Sequence, residues 1–139
     1  MRAATAATLA GLLMGCQPPQ REIGDVWVRL PAVPGRPAAA YFHATGGVQD
    51  VAITGITSPR AGRAEMHESM AAGMRPIATV ALDAGQDVRF SPAGRHVMLY
   101  DVDPRVKPGT TMPLRFAFSD GIQVTLDAKV VAAADPAPF

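Results

Sequence analysis

The sequence predicts an all-β domain, an antiparallel Greek-key sandwich or barrel of eight to nine short strands. Three observations carry that expectation. The 139 residues include 13 glycines and 13 prolines, more chain breakers than a helix bundle could place. Apolar and polar residues alternate in short runs spaced about ten residues apart, as in a many-stranded fold. No convincing amphipathic helix interrupts those runs.

The runs follow in order along the chain. Asp25 to Leu30 alternates, with Val26 and Val28 on one face, and the Pro-rich segment from Pro31 to Pro37 turns the chain. Ala38 to Thr45 is a second strand, closed by Gly46 and Gly47. Asp50 to Thr57 alternates again and stops at Ser58-Pro59. Arg63 to Ser69 places Ala64, Met66 and Glu68 on one face and Glu65, His67 and Ser69 on the other. After the turn at Gly73 a single extended segment runs from Met74 to Val80, then Gln86 to Ser91, then Arg95 to Val102. Thr111 to Ser119 and Ile122 to Val131 pair across Asp120-Gly121, a strong two-residue hairpin signal. The expected core contains Val26, Val28, Phe42, Ile53, Val97, Leu99, Phe116, Phe118, Val124 and Leu126.

Composition narrows the function. With 48% hydrophobic and 18% charged residues and a net charge of +1, the chain is neither disordered nor a basic nucleic-acid binder. Residues 1–15 carry one charge, Arg2, before an uncharged stretch from Ala3 to Gly15, too short to span a bilayer. Leu13-Met14-Gly15-Cys16 resembles the bacterial lipobox. That resemblance implies a signal peptide over 1–15, lipidation of Cys16, and a tether over 16–21. The folded domain then covers 22–131, with a frayed tail over 132–139. The expected location is outside the cytoplasm, in the periplasm. Gln17 after the lipidated residue points to the outer membrane.

Catalytic signatures are missing from the sequence. There is no Gly-x-Ser-x-Gly elbow and no Gly-rich phosphate loop opening a helix, so an enzyme is not the expectation. The one cysteine excludes an internal disulfide and a Cys-based metal cage within the fold. Any soft-metal site must therefore rest on the three histidines and seven methionines. On the run Arg95–Val102, Val97 and Leu99 take the core face, and His96 and Met98 share the other. Residues two apart on a strand have Cα atoms about 6.5 Å apart, close enough for both donors to meet one ion. His67 and Met74 extend the pattern to His67-x6-Met74-x21-His96-x-Met98. Two imidazoles and two thioethers form a soft donor set that selects Cu(I) over harder ions.

This constellation resembles the periplasmic copper chaperones of the PCu(A)C family, which carry a His, Met, His-x-Met pattern on a cupredoxin-like barrel. Local matches support it: Asp25-Val-Trp-Val-Arg29, Ser58-Pro-Arg-Ala-Gly62, Glu65-Met-His-Glu68, Met74-Arg-Pro76, and Ser91 through Leu99. The spacing from Met74 through His96-x-Met98 fits the family pattern without adjustment. The resemblance implies one Cu(I) per chain, held by His67, Met74, His96 and Met98. It implies hand-over to the cytochrome c oxidase subunit that carries CuA, or to a Sco-type copper protein. One departure stands out. Only six residues separate His67 from Met74, where the family has about ten, so Met70 is a possible substitute donor. His43 and Met112 lie outside the pattern, as an outward polar residue and a packing residue. The tail 132–139 has no His or Met, so one site is expected.

Three other readings compete, one of them a copper-dependent enzyme, for which the sequence holds no substrate-pocket signature. A blue-copper electron carrier needs a Cys thiolate in the fold, and Cys16 lies in the tether. A metal-free structural or interaction lipoprotein of the envelope, with an immunoglobulin-like sandwich, would make the His and Met residues incidental.

Overall fold

The computed structural model describes residues 15–139. The expected signal peptide over 1–15 therefore lies, apart from Gly15, outside the described residues. Among them there is no helix, and ten strands form the fold. These are β1 Glu22–Arg29, β2 Ala38–Thr45, β3 Val51–Thr57, β4 Ala61–Met70, β5 Gly73–Pro76, β6 Val80–Leu82, β7 Asp87–Phe90, β8 Arg95–Val102, β9 Thr111–Phe118 and β10 Gln123–Val131. All-β architecture is as expected. The count exceeds the expected eight to nine because the segment Met74–Val80 divides. Its beginning pairs with β4 as β5, and its end becomes β6, which pairs with β3.

The strands hydrogen-bond in the order β5-β4-β8-β2-β1-β10-β9-β3-β6, with β7 also on β2. Strand β2 changes partner along its length: Ala38–Ala40 pair with β8, and Phe42–Thr45 pair with β7. All pairings are antiparallel except β1 with β10. The chain alternates between the two ends of this order, and the resulting layers enclose one core. Phe42 stacks on Phe90 at 4.3 Å between centroids and meets Phe116 edge-on at 5.0 Å. Such aromatic pairs add about 0.5–1.5 kcal/mol each beyond the apolar area they bury.

Eight of the ten expected core residues are buried; Val124 and Leu126 are only half-buried. The reason is positional. β1 covers β10 only from Lys129 to Val131, so the first half of β10 has β9 alone beside it. Ala128 and Val130 take the core positions instead. The Asp120-Gly121 hairpin is present but wider than two residues. Gly121 donates to the Phe118 carbonyl at 3.0 Å, and Phe118 to that of Ile122 at 3.0 Å. Gly121 has φ 85°, the left-handed conformation that closes such a turn. Residues 132–139 form no strand and lie back on the domain. Arg29 donates to the Asp135 carbonyl at 3.1 Å, and Lys129 sits 4.2 Å from the Phe139 ring centre.

Candidate metal centre

The site forms on the outer face of the sheet, where β4 lies between β5 and β8. Register decides which side chains share that face. His67 is opposite His96, and Glu65 is opposite Met98, across β4 and β8. On the other side His67 is opposite Pro76, and Ser69 is opposite Met74, across β4 and β5. Partners across an antiparallel pair point the same way, so His67, Met74, His96 and Met98 share one face. The intervening residues Met66, Val97 and Leu99 point inward and are buried. Met98 also lies opposite Ala39 of β2, whose small side chain leaves room beside it.

Met74 is the centre of the arrangement. Its sulfur lies 3.3 Å from His67 Nδ1 and 3.3 Å from His96 Nε2. The two rings are 5.8 Å apart between centres. The shortened stretch between His67 and Met74 closes as a tight β4–β5 hairpin, with Gly73 at φ 122°. Pairing holds Met74 in place despite the missing residues. Met70 is paired with Gly73, one position out of step with Ser69 and Met74, so it lies on the opposite face. The structure thus brings Met74, and not Met70, to the histidines.

The far nitrogen of each imidazole is also engaged. His67 Nε2 is 3.1 Å from Glu65 Oε2, and His96 Nδ1 is 3.0 Å from the Gly94 carbonyl. A carboxylate and a carbonyl only accept, so in the neutral rings those nitrogens carry the protons. The nitrogens facing Met74 then present lone pairs. Three electron-pair donors converge with no proton among them, an arrangement that suits a soft cation. Bonds of about 2.0 Å to nitrogen and about 2.3 Å to sulfur span a tetrahedral edge of roughly 3.5 Å, close to the spacing here.

Burial differs across the site. His67 is 8% exposed, the one buried polar residue among those described, whereas Met74 is 54% exposed. Met74 and Pro76 of β5 lie beside His67, and β5 itself is an outer strand with β4 as its neighbour. The hydrogen bond from His67, helped by nearby Arg63, keeps the Glu65 carboxyl below its ordinary range. Arg75 and Arg95 both pair with Glu68 near the hairpin. No three His, Cys, Asp or Glu side chains cluster as a harder metal site among the described residues. His43, expected to point outward, is partly exposed and lies 3.4 Å from Asp87. Met112 is fully buried, a packing residue. Cys16 is exposed in the tether. Sequence reasoning placed Glu65 on the His67 face but gave it no role; the signal was its position two residues before His67 on one strand.

The fold is the cupredoxin-like one seen in PCuAC domains. A copper-bound PCuAC domain from PmoF2 matches with TM-score 0.70 at 23% identity, over 84% of this chain and 97% of that one. The apo PCuAC domain from PmoF1 matches with TM-score 0.69 at 22% identity, over 84% and 98%. The solution structure of Cu(I)-bound DR1885 from Deinococcus radiodurans matches with TM-score 0.64 at 21% identity, over 86% and 81%. The chain belongs to the LpqE-like family, described as "Putative lipoprotein LpqE-like", whose model matches residues 22–130. A search of the curated proteins finds no match.

Proposed function

We propose that the protein is a copper carrier of the bacterial envelope that holds one Cu(I) between His67, Met74, His96 and Met98 and passes it to a recipient protein. The observation that carries this reading is the convergence of two imidazole lone pairs on the Met74 sulfur at 3.3 Å each. Copper bound in structures of the same fold supports it. Cu(I) is the cargo, and no reaction is catalysed. Its chemistry explains the donor choice: a soft d10 ion prefers thioether and imidazole to carboxylate, and methionine cannot be lost to disulfide formation in an oxidising compartment.

Release follows from the same geometry. His67 is covered and fixed, but Met74 stands on a short outer strand at the surface. A recipient's soft ligand can reach the metal from the Met74 side and displace the thioethers first, leaving the ion on two imidazoles until it transfers. The recipient in this reading is the CuA-bearing subunit of cytochrome c oxidase or a Sco-type copper protein. Export and anchoring through lipidated Cys16 in the outer membrane complete the proposal. The family's lipoprotein description and the exposed tether cysteine support it.

The test is a competition for Cu(I) against a chromogenic chelator. The protein retains one equivalent, and His96→Ala or Met98→Leu weakens retention by about tenfold or more. Failure of the unaltered protein to retain copper would favour the metal-free lipoprotein reading.

A further inference from the structure

The two histidines are held by different means. His96 is held by backbone: the Gly94 carbonyl that accepts from its Nδ1 is fixed by a turn in which Gly94 donates to the Ser91 carbonyl at 3.0 Å. His67 is held by a side chain, Glu65, whose second oxygen accepts from Arg63. Arg63 in turn lies over the Tyr100 ring, 4.0 Å from its centre. The carboxylate is therefore clamped, with one oxygen on Arg63 and the other aimed at His67 Nε2.

We infer that Glu65 is a positioning residue that selects the His67 tautomer with its proton on Nε2, and so turns the Nδ1 lone pair toward Met74. The inference rests on the copper-carrier reading for its purpose but not for its geometry. Without an acceptor at Nε2, the two neutral tautomers of His67 compete, and the form protonated on Nδ1 has no lone pair on the nitrogen that faces Met74. Register prevents Glu65 from binding at that position itself: it contacts the ring on the side away from Met74.

Glu65→Gln separates hydrogen-bond polarity from shape. Arg63 can only donate, so it keeps the amide oxygen. The amide NH2 then faces His67 and donates to Nε2, which favours the proton on Nδ1. The two imidazoles are read by 15N correlation spectra of the metal-free protein at about pH 8, which distinguish the two neutral tautomers from the charged ring. The expected result is Nε2–H for His67 in the unaltered protein and Nδ1–H in the variant. His96, held by backbone, is unchanged and serves as the internal control. Retention of Cu(I) falls about tenfold or more in the variant. An Nδ1–H His67 in the unaltered protein, or an unchanged His67 in the variant, would overturn the inference. A tautomer change with undiminished copper retention would overturn its role in metal binding. The spectra need no copper, so failure of the unaltered protein to bind Cu(I) would remove the carrier reading alone.

Discussion

Strand β9 and the β4–β5 hairpin each present a methionine, and the two side chains answer to different constraints. Met112 on β9 is 0% exposed and part of the continuous core. Its neighbours decide its identity, since any well-fitting apolar side chain would satisfy them. Met74 on the hairpin is 54% exposed and contributes little burial, yet both histidines point at its sulfur. A side chain that stabilises the fold so little is placed by its contacts with the two histidines and not by packing.

The comparison breaks most sharply under paired substitution. Met112→Ala removes a buried side chain and leaves a cavity, so it destabilises by about 2–5 kcal/mol. Met74→Leu sits at the surface and changes stability by no more than about 0.5 kcal/mol. Copper retention should invert that order: Met74→Leu loses about tenfold or more, and Met112→Ala, where folded, loses little. Met70→Leu, on the opposite face, changes neither quantity appreciably. Urea unfolding and Cu(I) competition on the same set of variants check all of these outcomes. Equal copper loss in the Met70 and Met74 variants would contradict the register of the hairpin.

How much of this contrast can be read in the sequence depends on how far apart the interacting residues are. The faces of β8 and β4 follow from alternation alone, because side-chain direction is a property of one strand. His96 and Met98 opposite Val97 and Leu99 are therefore legible, and so is the packing role of Met112 before Pro113. Partner choice is not local. Alternation marks Met74–Val80 as extended but cannot say that its two ends join opposite ends of the sheet. The half-exposure of Val124 and Leu126 depends likewise on where β1 stops covering β10. At the site, pairing of His67 with His96 and of Glu65 with Met98 is set by register between strands some thirty residues apart, whereas the Glu65–His67 contact lies within one strand and is marked only by its two-residue spacing.

Protonation sharpens the contrast by a smaller amount. A proton competes with copper for each imidazole lone pair, so binding weakens as pH falls. Retention measured from pH 8 to pH 5 should fall with up to two protons taken up per copper released. The core variants should show the same profile as the unaltered protein, whereas His96→Ala should show a shallower one. A flat profile in the unaltered protein would argue that the thioethers alone hold the ion.

The smallest effect lies at the far end of β8, where charge serves the fold. Asp103 accepts from the side chain and backbone N–H of Arg105 and from Arg60. Those bonds, Arg105 first, hold its carboxyl far below the usual carboxylate range. A carboxylate depressed on folding stabilises the native state above its unfolded value near 3.9, and that contribution fades as pH falls toward the folded value. Asp103→Asn should therefore lower Tm modestly at pH 7, and the gap from the unaltered protein should narrow steadily below about pH 4. Its Cu(I) retention at pH 7 should not change, because Asp103 follows the last residue of β8 and His96 lies near the first. A gap independent of pH would assign the loss to the Asp103 backbone turn and not to its charge.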